Sequence, residues 1–311
     1  MLVAYTLSDE RRPVRRILNP TKPKGDSSVF TAPPLRRRIV GRTLRRYREN
    51  LGYTLDDAAG ILECDRSKIS RIETGQRGIR GKELREPLTE YGIGEDQQSI
   101  LTAMADPRTA RGWYRPYSDI LPGSYQDYLL LEAAAPRVLA YGAQRIPALL
   151  QTPAYALALA EADPGSGDDE TRAMAVETTL ARQKAILGEG KPDIHVVIGE
   201  AALRQEVGGP AVMEGQLGLL AAVSGDSGII TVQILPFSSG AHAAADIGSM
   251  TILQFPEASG LGIVHLGGAG GGVYLETPEE LAAHARAFEL LRAFALSPVQ
   301  SALLLRGLTA S

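Results

Sequence analysis

The chain's 311 residues, 44% hydrophobic and 22% charged, suffice for two domains with buried cores, and its single cysteine excludes a disulfide framework or a CxxC metal or redox motif. No apolar run approaches the roughly 18–20 residues that span a bilayer, and the opening residues reverse the charge order of a secretion signal, so the cytoplasm is the expected location. The net charge of −3 conceals an asymmetry: residues 1–95 carry 20 Lys+Arg against 13 Asp+Glu, the remainder 13 against 23, so a basic head that favours approach to a polyanion precedes an acidic body that limits indiscriminate adhesion.

Residues 1–34 hold five prolines and no periodic pattern, which reads as a flexible arm whose arginine pairs (Arg11–Arg12, Arg15–Arg16) could trail along a DNA groove. A disordered tail is the simpler reading of the same residues. From 35 to 105 helical signals follow one another closely. LRRRIVGRTLRRYREN spaces Ile39, Leu44 and Tyr47 among cations, and Thr54 is an N-cap for LDDAAGIL, with Asp56 and Asp57 where the helix dipole favours acids. Asp65 caps the next helix, which Gly75 closes. KELREPLTEYG gives a fourth, with Pro87 either kinking it or sitting in its first turn, and EDQQSILTAMA a fifth. The expectation is an all-α head of four to five helices.

Residues 106–126, rich in Pro, Gly and aromatics and holding Trp113, read as a packed connector. Over 127–308 Val- and Ile-rich strands are expected at 137–144, 193–200, 229–237, 249–255 and 261–267, among helices at 152–162, 168–187, 208–225, 277–296 and 298–308. Three successive strands near 229–267 suggest an antiparallel meander. The body is therefore expected to be α+β with a mainly antiparallel sheet.

The segment DRSKISRIETG, 65–75, carries the most informative chemistry. With residues 54–74 as two helices joined by a tight turn, Ala58, Ala59 and Leu62 would meet Ile69 and Ile72, leaving Arg66, Ser67, Ser70 and Arg71 outward on one face. A helix of that width enters the major groove, where Arg forms bidentate bonds to guanine and Ser can bond a base edge or a phosphate.

LRRYRENLGYTLDDAAGILECDRSKISRIETGQR resembles the helix-turn-helix of the XRE family, the Cro and phage-repressor type. That resemblance implies a recognition helix over 66–74, with Arg66, Ser67 and Arg71 at base-contacting positions and Ser70 beside them. It places Thr54, Gln76 and Arg77 at phosphate-contacting positions. It also implies a structural pair, Arg48 with Glu73, tying the first helix to the end of the third. Lys68 reads as a solvated or phosphate-facing cation rather than a base reader. One departure is Glu63, where the tight turn of such proteins usually carries glycine. Cys64, at the usually apolar turn position, reads as a small buried hydrophobe rather than a redox sensor.

The body shows no HxH or HExxH spacing among His195, His242, His265 and His284, and no GxSxG, so neither a metal nor a cofactor is expected. HLGGAGGGVYLE, 265–276, lacks a nucleotide-loop pattern and reads as a hairpin connection. YLLLEAAAPRVLAYGAQRIPALLQTPAYA, RQKAI, GEAALRQEVGGPAVMEGQL and VQILPFSSGAH resemble the C-terminal domain of actinobacterial antitoxin-like transcriptional regulators, WhiJ-type proteins among them, with Ala148 where the usual motif has glycine. The resemblance implies a regulator that binds a double-stranded operator as a homodimer and receives a small-molecule or protein signal through its body. An alternative is an antitoxin-type interaction protein that neutralises a small neighbour-encoded partner. A DNA-tethered enzyme is the weakest reading, because no converging acid, base and nucleophile are evident; a pocket holding His242 and Asp246 together would revive it.

Overall fold

The computed structural model of the chain describes residues 33–105, 113–118, 121–165, 167–187, 192–225, 230–255, 261–267 and 272–309. Of the expected arm only residues 33 and 34 fall in this set. Its arginine pairs lie outside it, as do 106–112 and 119–120 of the connector and 268–271 of the glycine-rich segment.

The head is five helices: α1 (Leu35–Asn50), α2 (Leu55–Ile61), α3 (Arg66–Glu73), α4 (Gly81–Glu90) and α5 (Glu95–Ala105). Local chemistry sets their ends. Thr54 accepts from the Asp57 N–H while the Asp57 carboxylate takes the Thr54 N–H at 2.7 Å, a reciprocal capping box. The Asp65 carboxylate accepts the Lys68 N–H at 2.9 Å and so starts α3. Gly75, at φ 75°, ends it in the left-handed region that a side chain disfavours. Pro87 is not in the first turn: it sits inside α4 and is buried, as are Leu84 and Leu88.

The seam between α2 and α3 differs in one respect from expectation. Ala58, Ala59 and Ile69 form a small cluster with Leu62 and Cys64 partly buried against it, but Ile72 turns the other way, into the main core with Ile39, Val40 and Leu44 of α1. The cause is the close passage of α1 over the end of α3. At Gly41 an added Cβ would stand 2.2 Å from the Ile72 carbonyl oxygen, so α1 rests directly on the α3 backbone there.

The body consists of α6 (Gly123–Ala134), β1 (Arg137–Gly142), α7 (Pro153–Ala162), α8 (Asp169–Ile186), β2 (Asp193–Gly199), α9 (Glu200–Arg204), α10 (Pro210–Gly225), β3 (Ile230–Leu235), β4 (Met250–Gln254), β5 (Gly262–Leu266), β6 (Val273–Leu275), α11 (Pro278–Phe294) and α12 (Pro298–Thr309). Its six strands lie in the order β3-β2-β1-β4-β5-β6. Three of the five pairings are antiparallel, so the sheet is mixed and mostly antiparallel, as expected. The meander over 229–267 is a correction. β4 and β5 pair as antiparallel neighbours, but β3 stands at the far edge, parallel to β2. Helical crossovers before β2 and before β3 make parallel pairing possible there.

Alternation along the strands divides the core. Val138 and Ala140 of β1 join Ile194, Val196 and Ile198 of β2 on one face, with α6, α8, α10 and α12, while Leu139, Tyr141 and Val197 face Phe288 and Leu291 of α11 on the other. The outer edge of β3 is closed by the α11–α12 turn: Leu296 N–H donates to the Ile234 carbonyl at 2.9 Å, and Ser301 Oγ accepts from the Ile234 N–H at 2.9 Å. Among the described residues no single helix is long and apolar enough to cross a membrane.

Head and body share one apolar core. α1 and α5 pack against α6, and Leu35, Ile39 and Leu101 belong to the same buried cluster as Leu129, Leu131 and Tyr128. Three ionic contacts flank this seam. Arg36 reaches Asp127 at 3.4 Å, where burial pushes the Asp127 carboxyl up and the guanidinium opposes it. Glu276, just before α11, accepts from Arg38 Nε at 2.7 Å and lies 3.6 Å from Arg42.

Candidate DNA-binding surface

α3 is eight residues long and could not hold its shape alone. Three contacts brace it. Its apolar side divides between the Ala58–Ala59 cluster and the main core through Ile69 and Ile72. Its end is fixed by Arg48 and Glu73, both buried: Nε meets Oε1 at 2.7 Å and Nη2 meets Oε2 at 2.9 Å, while Nη1 donates to the Tyr53 carbonyl at 2.8 Å. This two-pronged geometry satisfies both carboxylate oxygens, the condition under which a buried ion pair offsets its desolvation. The third contact is the close approach at Gly41.

With the rear held, the outward face is open. Arg66, Ser67, Ser70 and Arg71 are all exposed, and none is covered by the acidic body. Thr54 at the start of α2, and Gln76 and Arg77 just past the end of α3, are exposed as well. Lys68 stands apart: it is half-buried, and its Nζ donates to Glu83 of α4 at 3.2 Å.

The face is partly pre-ordered. Arg71 folds back along its own helix, with Nε on the Ser67 carbonyl and Nη2 on Ser67 Oγ, each at 3.2 Å. The Ser67 hydroxyl also donates to the Asp65 carboxylate, one reason that carboxyl is held below its usual range. Arg66 approaches Asp56 at 3.6 Å with both side chains largely exposed. Exposed pairs of this kind contribute about 0–1 kcal/mol, so both arginines can swing outward at small cost.

The turn before α3 contains the one described non-glycine residue in the left-handed region, Glu63, at φ 44°. Cys64 follows it, half-buried, and burial pushes its thiol up, which keeps it a protonated, weakly reactive group.

Two polar constellations went unread in the sequence. Arg38 and Arg42 meet Glu276 across 238 and 234 positions, respectively, and Glu132 of α6 is buried against Arg182 of α8, with Nε–Oε2 at 2.6 Å and Tyr128 donating to Oε1 at 2.9 Å. No spacing rule links residues so far apart. The four histidines are dispersed: His195 bonds Gln233 at 2.7 Å, His242 lies edge-on to Tyr141, His265 stacks on Tyr274, and His284 donates to its own helix at the Glu280 carbonyl. His242 is half-buried and Asp246 exposed.

Comparison with known families agrees with this division. A helix-turn-helix domain family matches residues 39–98, the span from the second turn of α1 into α5. A family described as a domain of unknown function, DUF5753, matches residues 125–307, which is the body from α6 to α12 and more than half of the chain. No curated protein and no solved structure matches the chain. The chain belongs to the DUF5753 family and carries, ahead of that domain, a helix-turn-helix domain of the DNA-binding kind.

Proposed function

We propose that the protein is a sequence-specific transcriptional regulator of the XRE, Cro and phage-repressor type, with α3 lying in the major groove and an antitoxin-like body of the WhiJ kind. The observation that carries this reading is the exposed face of α3, two arginines and two serines on a helix braced from behind by Arg48–Glu73. Arg66, Arg71, Ser67 and Ser70 read base edges, and Thr54, Lys68, Gln76 and Arg77 hold phosphates. Lys68 does so by releasing its contact with Glu83.

One eight-residue helix makes few base contacts, so the reading includes a homodimer on two half-sites about one helical turn apart. Apolar surface for pairing is present in the body: Phe237, Leu290, Phe294, Val299 and Leu303 are exposed on neighbouring segments, the Ser239 hydroxyl tying the first segment to the Phe294 carbonyl at 3.0 Å. The same surface favours a second reading, an antitoxin-type protein that holds a small partner there. Sedimentation of the purified chain separates the two, since a monomer with an intact fold favours the partner. The body is read as a receiver of signals without catalysis, in the cytoplasm.

The test is a footprint and gel shift on genomic fragments selected by the protein. Arg71→Ala is expected to lose about 1–3 kcal/mol of affinity and to relax one base position. A footprint and affinity identical to wild type would remove Arg71 from the reading face.

A further inference from the structure

Between the head and the body lies a cleft of about 660 Å³, within the range of small-molecule sites and at a domain boundary, where such sites concentrate. One wall is α1. Arg38, Arg42 and Arg46 follow at four-residue spacing and so share one helix side, with Arg45 next to them. The other wall is the segment from Leu261 to Gly262 and the start of α11, at Glu276, Pro278 and Glu279. Thr74, the C-cap of α3, closes one end.

The polar groups of this cleft are unevenly satisfied. Glu276 has a side chain only 9% exposed, and its Oε1 serves both Arg38 and Arg42, yet its Oε2 is buried with no partner. Arg42 Nη1 is likewise buried and without a partner. Arg46 makes no ion pair among the described residues and lies over the Tyr47 ring at 5.6 Å. Arg45, by contrast, is engaged by Glu49 at 2.8 Å. Buried polar groups are nearly always paired, so an orphan acceptor and an orphan donor on one cleft require an explanation.

We propose that this cleft binds a small phosphorylated polyol, a sugar phosphate or the ribose phosphate of a nucleotide. On binding, the Glu276 carboxylate and the Arg42 guanidinium turn toward the cleft, so that a hydroxyl of the ligand donates to Glu276 Oε2 and its phosphate accepts from Arg42 Nη1 and Arg46. A guanidinium pair suits a phosphate, and a carboxylate with a free lone pair suits a sugar hydroxyl. The inference rests on the regulator reading in one respect. α1 lies on the α3 backbone at Gly41 and is tied to Glu73 through Arg48, so a ligand bridging α1 to the body would act on the helix that supports α3.

The test uses the full chain, with ribose 5-phosphate as probe and ribose and inorganic phosphate as controls, read by calorimetric titration and by Tm. The expected result is saturable binding of the ester, weaker binding of phosphate and none of ribose. Arg46→Ala and Glu276→Gln each weaken the ester by about tenfold or more, the loss expected for one charge-assisted bond. Arg46→Ala should leave DNA affinity unchanged when no probe is present. No binding of the ester overturns the assignment, as does an unchanged Kd in both variants or equal binding of free phosphate, which would mark an adventitious ion only. A loss of DNA affinity in Arg46→Ala without probe also overturns it, by placing that arginine on DNA. Ester binding in a protein that binds no DNA would leave the cleft standing and remove the regulator reading.

Discussion

Glu63→Gly should stabilise the protein. Glu63 holds φ 44° in the turn between α2 and α3, with its N–H on the Gly60 carbonyl at 3.2 Å and the next N–H, that of Cys64, on the Ala59 carbonyl at 2.9 Å. Those bonds keep the residue in the left-handed region, which costs a side-chain-bearing residue about 1–2 kcal/mol. Glycine removes that cost but adds about 0.5–1 kcal/mol of entropy loss on folding, so the net gain is roughly 0.5–1 kcal/mol. An unfolding entropy of about 2.1 cal/mol/K per residue makes 1 kcal/mol worth roughly 1.5 °C in a chain of 311 residues, giving a rise in Tm of about 1–1.5 °C. Glu63 is exposed, so Glu63→Ala is the control: it deletes the carboxylate, keeps the backbone strain, and should leave Tm unchanged. Thermal unfolding followed by circular dichroism reads both. A fall in Tm for the glycine variant, or an equal rise for the alanine variant, would refute the argument that backbone conformation is what glycine relieves.

Gly41→Ala should act in the opposite direction and more strongly, because its Cβ would meet two carbonyl oxygens of the α3 end at 2.2 and 2.8 Å; a loss of about 3 kcal/mol in urea unfolding is expected, and a neutral result would contradict the close approach of α1 to α3. Glu132→Ala leaves the buried Arg182 guanidinium without its carboxylate, which should cost about 3–5 kcal/mol, and a loss below 1 kcal/mol would show that water reaches the site. The pH dependence follows from His195, which burial holds below its ordinary value against the opposing bond from Gln233. The unfolded chain then binds this proton more readily, so stability present above about pH 6.5 is lost as pH falls toward the folded value. Urea midpoints should drop between pH 7.5 and 5.5 by less in His195→Gln than in wild type, and parallel curves would refute the assignment.

What the sequence made legible was local. The caps at Thr54 and Asp65, the stop at Gly75 and the strain at Glu63 follow from single residue types and their immediate neighbours, and the structure has them where those residues stand. Five of the six described strands of the body were legible for the same reason, being short Val- and Ile-rich runs, whereas β6 lies in the glycine-rich stretch read as a hairpin connection. Their pairing was not. β2 is buried on both faces from Ile194 to Gly199, the pattern of a central parallel strand, whereas adjacency in sequence suggested a meander. α6 was hidden because its outer positions Leu130, Ala133 and Ala134 are as apolar as the buried Tyr128, Leu129 and Leu131, so no polar stripe marks it as a helix. The turn of Ile72 toward α1 depended on Gly41, 31 positions earlier, and the ion pairs at Glu276 and Glu132 join elements that no periodicity connects. On the exposed face of α3 the arrangement of Arg66, Ser67, Ser70 and Arg71 required only a helix and a buried Ile69.

The most direct measurement is selection of bound sequences from a pool of random duplexes by the wild-type chain and by Arg71→Ala. The wild type is expected to enrich a two-fold symmetric site with half-sites about 10 base pairs apart, and the variant to enrich the same site with one guanine position in each half-site no longer fixed. Enrichment of no sequence, or of one identical in both proteins, would contradict the claim that α3 reads DNA through its arginines.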